Sequence, residues 1–416
     1  MRKVFKFGGA SIKDSKNIIN VGKILIDSKE DNLVVVFSAI AKVTNMFEKV
    51  IGNYFQGDKI YLSQLQEIKL LHANIVSDLF NNNELIFQEL DNIFLEISLI
   101  LSQDITFDFS YYYDQVVSFG EILSSTIMSR YLVSIGFSHS FIDARNIICT
   151  DNQHRNAKIN WISTNKAINK NISLNNIVTQ GFIASSEGIT TTLGREGSDF
   201  TAAIIGNALD VEEVVIWKDV PGMMNADPEY FPDAKVFQEL SFDEAIELAF
   251  YGAKVIHPKT IQPLKDKNIP LKIRSFINTN LSGTTIKEQA IPNRMPSYII
   301  KHNQILLSIS DTSLSFIVEN HISRIFHLLS LHSIRVNMMQ NSAVSFSVCI
   351  DNEKYKVPDL ISDLQKDFKV YYNKNLSLFT IRNYTEEIVE DLIKENTIIL
   401  EQKSRNTMQV VTTSSN

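Results

Sequence analysis

The strongest constraint on this chain is a rhythm. Short runs rich in β-branched residues, VFKF (4–7), LVVVFS (33–38), SHSFIDA (138–144), NIVTQGFIA (176–184), EEVVIW (212–217) and PLKIRS (270–275), alternate with longer stretches of helical spacing such as 114–136 and 241–253. Parallel strands need a crossover between them, and a helix is the usual one. The alternation therefore predicts an α/β fold with a mostly parallel sheet sandwiched by helices. At 416 residues and 44% hydrophobic content the chain exceeds a single ordinary core, so two or three domains are expected.

Two departures from the rhythm mark the organisation. Residues 54–105 carry mixed polar and apolar positions at helical spacing, with no turn clusters, and read as a helical insertion. The stretch 278–297 is polar and holds two prolines, as a linker would. We expect one domain over 1–285, a linker over 286–300 and a second region over 301–416. In that last region a strand–helix–strand–strand unit, with a helix at 385–395 in its second copy, occurs twice, which predicts two small α+β modules of ferredoxin-like type. The second copy ends before its last helix, so it is expected to share strands with its neighbour or with another subunit.

Several function classes are disfavoured. A net charge of −7 does not suit a polyanion, so no nucleic-acid partner is expected. No run of about 18 apolar residues suggests a membrane span, and the first residues, MRKVFKFGGAS, lack the apolar core of a signal peptide. Cys149 and Cys349 stand far apart, without histidines at ligand spacing, so neither a disulfide framework nor a metal set held by protein side chains is expected. The profile is cytoplasmic.

The segment TTTLGREGSDFTAA (190–203) concentrates chemistry where a strand gives way to a helix. A glycine-flanked turn frees backbone N–H groups, the helix start adds partial positive charge, and Arg195 offers two parallel donors to a carboxylate or phosphate. An anionic small molecule suits that turn, although Ser198 or Asp199 would equally serve as a helix cap. KFGGAS (6–11) follows a strand, and its glycines allow backbone to approach a ligand. GNYFQGDK (52–59) has glycines at P-loop spacing, but Asp58 stands where the lysine belongs, and no Rossmann fingerprint is present.

Taken in order, KFGGAS (6–11), VVFSAIAKVTN (35–45), SFGEILSS (118–125), FIDAR (141–145), QGFIA (180–184), TTTLGREGSDFTAA (190–203), WKDVPGMMNADP (217–228) and SFDEAIELAFYGAKVIHPKT (241–260) resemble the aspartokinases of the amino-acid kinase superfamily. The resemblance covers about residues 3–285 and continues more loosely through a tail similar to paired ACT modules. It implies a monofunctional enzyme that transfers the γ-phosphoryl group of MgATP to the side-chain carboxylate of L-aspartate, the first step of lysine, threonine and methionine biosynthesis. It also implies ATP and Mg²⁺ as cofactors and a homodimer through the ACT modules.

By the same resemblance Lys6 meets the transferred phosphoryl group, Asp199 organises Lys6 and the phosphates, and the backbone of Phe7, Gly8 and Gly9 assists. Arg195 grips the substrate α-carboxylate, Glu121 its ammonium, and Ser38, Thr44 and Ser198 surround it. Glu121 has support of its own, because a carboxylate among Val116, Val117, Phe119, Ile122 and Leu123 would be costly without a partner. Lys218 and Asp219 fall beside the base and ribose, Lys254 and Val255 near the phosphates. Met224 replaces a common aromatic and Glu229 a common basic residue, whereas His257 reads as structural. Asn337, Met338, Ser342 and Ala343 match positions where relatives bind lysine or threonine; Asn337 and Ala343 lack the carboxylates of many lysine-sensing members. Glu196 departs from the usual glycine and is left with two candidate partners, Arg195 or Lys6. The competing readings are a kinase for another carboxylate such as glutamate, and a catalytically decayed amino-acid sensor.

Overall fold

A computed structural model describes residues 2–30, 32–81, 84–253, 255–290, 295–313, 315–385 and 396–413. The chain divides into two compact units: Met1–Met223 with Val236–Ile246 and Val255–Pro292, and Met224–Lys235 with Glu247–Lys254 and Asn293–Asn416.

The first unit contains strands β1 (Lys3–Phe7), β2 (Leu33–Phe37), β3 (Ser140–Ile142), β4 (Ile177–Gln180), β5 (Ile183–Ser186), β6 (Ile189–Thr192), β7 (Glu213–Lys218), β8 (Glu239–Leu240), β9 (Leu271–Ser275) and β10 (Thr284–Ile286). Eight of them form one sheet in the order β3-β4-β2-β1-β7-β9-β10-β8, while β5 and β6 make a separate hairpin. Every pairing in the eight-stranded sheet is parallel except β9 with β10. The α/β expectation holds.

All five residues of β2 are buried, as both faces of a helix-covered parallel strand require. Phe7 is opposite Phe37 on one side and Trp217 on the other, and it stacks on both rings at 5.8 Å. Because β1, β2 and β7 run the same way and end in register, Lys6, Ser38 and Lys218 gather at the carboxyl edge of the sheet. That edge is where ligands of open α/β sheets bind.

Helices α1 (Ser15–Ser28), α2 (Val43–Phe55), α3 (Ile60–Leu79), α4 (Glu84–Leu101), α5 (Phe109–Val117), α6 (Phe119–Ser134), α7 (Trp161–Asn171), α8 (Gly197–Leu209), α9 (Phe242–Tyr251) and α10 (Pro258–Lys265) accompany these strands. Two sequence readings need correction. The helical stretch 114–136 is two helices, α5 and α6, that meet at Ser118. The strand read over 176–184 is likewise two, β4 in the main sheet and β5 in the hairpin, separated at Gly181 and Phe182, where Phe182 has φ 67°.

The second unit holds β11 (Ser297–Asp311), β12 (Val336–Asn341), β13 (Phe346–Asp351), β14 (Phe368–Arg382), β15 (Ile398–Lys403) and β16 (Thr407–Thr413), with helices α11 (Glu319–Leu331) and α12 (Lys356–Leu364). They form a six-stranded antiparallel sheet in the order β12-β13-β11-β14-β16-β15. Ile305, Leu307 and Ile309 alternate onto one face and bury against Ile325, Leu328, Leu329, Leu360 and Leu364 of the helices. Most of the helix expected at 385–395 lies outside the described residues. No described helix is long and apolar enough to cross a membrane.

Candidate active site

The site grows from the end of β1. Lys6 is 6% exposed although it carries a charge, so it needs a partner nearby. That partner is Asp199, in the first turn of α8: Lys6 Nζ lies 2.5 Å from Oδ1, and Lys218 Nζ lies 3.1 Å from Oδ2. Burial alone would raise the Asp199 carboxyl, but the two ammoniums outweigh it and hold it below the usual carboxylate range. Burial would lower the Lys218 ammonium; Asp199 and Glu196 outweigh it and raise it. The sequence reading set Lys218 beside a base and ribose, whereas the structure puts its ammonium in the same cluster as Lys6.

Close backbone approach explains the glycines around this cluster. A Cβ on Gly9 would stand 2.6 Å from the Ala39 carbonyl oxygen, and Ala41 N–H donates to the Gly9 carbonyl at 3.2 Å. A Cβ on Gly181 would lie 2.3 Å from Ser198 Cβ, so the end of β4 and the start of α8 touch backbone to side chain. Ser38 N–H donates to the Phe7 carbonyl at 3.2 Å, which carries the β1–β2 pairing one residue beyond the strands. Phe7 itself is sealed in the core, so the backbone open to a ligand begins at Gly8 and Gly9, beyond the end of the strand.

Glu121, in the first turn of α6, is 2% exposed. Its Oε1 accepts from Ala39 N–H at 3.2 Å, and its Oε2 is buried without a hydrogen-bond partner among the described residues. Burial pushes its carboxyl up to about 8, with the Ala39 N–H and the Lys6 charge pulling back. The internal salt bridge that could have explained this acid is not found among the described residues, and a buried acceptor left open is a place for a donor from a ligand.

The Arg195 turn is held from behind by residues the sequence reading missed. Asp114, fully buried on α5, accepts from Thr192 Oγ1 at 2.6 Å, Thr192 N–H at 3.1 Å, Arg155 N–H at 3.1 Å and His154 Nδ1 at 2.8 Å. Lys259 Nζ donates to the Leu193 carbonyl and to Asn156 Oδ1, both at 3.0 Å, and lies 5.0 Å above the Phe200 ring. Each bond joins segments 40 or more residues apart, and no local motif announces them. His257 caps α10 by accepting from Lys259 N–H at 3.1 Å.

Arg195 is exposed, Ser198 buried, and Ser38 and Thr44 half-buried. Asp219 is exposed and Val255 half-buried. Met224 belongs to the second unit, and Lys254 lies outside the described residues. Within the second unit Asn337 is tied into a polar group: it accepts from Lys301 Nζ at 2.8 Å and donates to Gln304 Oε1 at 2.8 Å and Asp351 Oδ1 at 3.0 Å. Met338 is buried, while Ser342 and Ala343 are exposed in the turn after β12.

A parallel sheet whose carboxyl edge gathers two lysines on one aspartate, beside a buried acid with one oxygen unbonded among the described residues, defines an α/β protein with a concentrated charge cluster at the edge where such sheets bind ligands. The model of the amino acid kinase family matches residues 1–275. Aspartokinase 3 of Arabidopsis thaliana, a chloroplastic protein, is 32% identical over 375 residues, covering 86% of this chain and 66% of its own length. Aspartokinase 2 of the same plant is 30% identical, covering 86% and 68%. The structure of Escherichia coli aspartokinase III in complex with aspartate and ADP superimposes with a TM-score of 0.84 at 24% identity, over 99% of this chain and 96% of that one, a likeness of fold. The chain belongs to the amino acid kinase family and, within it, to the aspartokinases. It spans 66% of the length of the first of these plant relatives and 32% of the bifunctional aspartokinase/homoserine dehydrogenase 1 of Zea mays.

Proposed function

We propose that the protein is an aspartate kinase, which transfers the γ-phosphoryl group of ATP to the side-chain carboxylate of L-aspartate and gives 4-phospho-L-aspartate and ADP. The single observation that carries this reading is the buried Lys6–Asp199–Lys218 cluster set within electrostatic reach of the open Glu121 carboxylate. One half suits phosphate, the other an ammonium.

The division of labour follows from charge. The accepting carboxylate is already ionised, so the reaction needs no general base; it needs two anions held in line and their repulsion cancelled. Lys6 and Lys218 face the phosphoryl oxygens, with the amides at Gly8 and Gly9 adding donors. Asp199 aims both ammoniums and, with Glu196, holds that of Lys218 in its charged form. Glu121 receives the substrate ammonium through its free Oε2, Arg195 receives the α-carboxylate, and Ser38, Thr44 and Ser198 supply hydroxyls around it. Among the described residues no three His, Cys, Asp or Glu side chains converge on a metal site. Mg²⁺, bound together with the nucleotide, would neutralise phosphate charge.

The same reading assigns 1–285 to catalysis, 286–300 to a linker and 301–416 to paired ACT-type regulation, in a cytoplasmic homodimer. Escherichia coli aspartokinase III has been captured with lysine and aspartate. In this chain Asn337 is neutral and Ala343 apolar, so a second ammonium finds no carboxylate at those two positions, and threonine fits them better than lysine.

Coupled ADP release with MgATP tests the reading. It predicts turnover that depends on aspartate and is much weaker with glutamate. Turnover with glutamate alone would reassign the substrate; a folded protein that binds an amino acid without any turnover would be the decayed sensor.

A further inference from the structure

Glu196 is the one charged residue of the arginine turn that phosphoryl transfer does not employ. It stands at the N-cap of α8 with φ 53°, a left-handed conformation that glycine adopts freely and glutamate does not. Its Oε2 is buried and has no hydrogen-bond partner among the described residues. One carboxylate oxygen of this half-buried residue is therefore turned inward from a left-handed backbone position without a bond to hold it among the described residues.

Its surroundings supply the reason. Burial raises its carboxyl; Lys218 of β7, Arg195 of the turn and Lys6 of β1 oppose that rise, while Asp199 of α8 adds to it. Lys218 in turn feels two carboxylates, Asp199 at 3.1 Å and Glu196. Asp199 is locked by both lysines, whereas Glu196 is held by charge alone. An incoming phosphate would compete with the weaker of these two partners.

We propose that Glu196 is a positioning residue that acts as an internal stand-in for the terminal phosphates: it balances Lys218 in the free enzyme and is displaced from it when ATP binds. The proposal rests on the kinase reading above and adds to it a built-in penalty on nucleotide affinity.

Titration calorimetry of the full chain with MgATP and with AMP, on the wild type, Glu196→Gln and Glu196→Gly, tests this without relying on turnover. Removing one negative charge near the phosphates should tighten ATP binding by about three- to tenfold in both variants. AMP, which lacks the terminal phosphates, should bind as before. Glycine suits φ 53°, so the second variant is secure in folding if the first is not. Unchanged or weaker ATP binding, or an equal gain for AMP, overturns the proposal. Failure of the kinase reading shows separately, as wild type that binds ATP yet releases no ADP with aspartate.

Discussion

Glu121 shows how a single residue can be both a cost to the fold and a requirement of the site. Its folded-state carboxyl is raised from 4.5 to about 8, chiefly by burial. The folded protein thus keeps a proton that the unfolded chain has lost, so the stability linked to this group is complete below about 4.5 and is lost as pH rises through about 8. Glu121→Gln removes that dependence. Thermal melts without ligands should show wild type and variant alike at pH 4 and the variant more stable at pH 8.5, by on the order of a few kcal/mol. The same variant should bind aspartate poorly at pH 8.5, because the ammonium loses its charged partner and keeps only a neutral amide oxygen. A variant no more stable at high pH would mean that the buried carboxylate is satisfied in a way the geometry does not contain. This residue was legible in the sequence, since an acid in an apolar helix stands out. Asp114 was not: it sits among Tyr112, Tyr113, Val116 and Val117 much as Glu121 sits among its neighbours, but its donors come from Arg155 and Thr192, which proximity in the chain cannot reveal.

Among the elements, the start of α8 decides whether the site assembles, for it carries Glu196, Ser198 and Asp199. Its place is set by Gly181, where a methyl group would stand 2.3 Å from Ser198 Cβ and 2.7 Å from its Cα. Gly181→Ala should push the helix start away from the sheet edge and destabilise the protein by roughly 1–3 kcal/mol, as overpacking does. Because Asp199 moves with the helix, activity should fall more than stability does. Denaturant melts alongside kinetics check this, and a variant with normal stability and turnover would show that the contact is not a constraint. The apolar run 176–184 hides this joint, since both strands are buried and the break rests on one glycine and a left-handed Phe182. The two helices meeting at Ser118 were hidden for a similar reason: apolar residues continue across the break, and Gly120 falls inside the first turn of α6 instead of between the helices.

At the scale of the whole molecule, alternation of strand and helix was enough to foresee a parallel sheet, because the crossover rule leaves few other arrangements. The order of strands was not foreseeable from that alternation. It places β1 between β2 and β7, and so brings Lys6 and Lys218, 212 positions apart in the chain, onto one aspartate. Resemblance paired Asp199 with Lys6 and set Lys218 beside the base and ribose; the arrival of Lys218 in the same charge cluster is a property of the register. That cluster is the centre of the functional account, and the most direct measurement is aspartate-dependent ADP formation by wild type and by Lys6→Met, which keeps the length of the side chain and removes its charge. The account predicts a loss of at least about 10²-fold in kcat with the fold intact. A folded Lys6→Met protein that turns over like the wild type would contradict it.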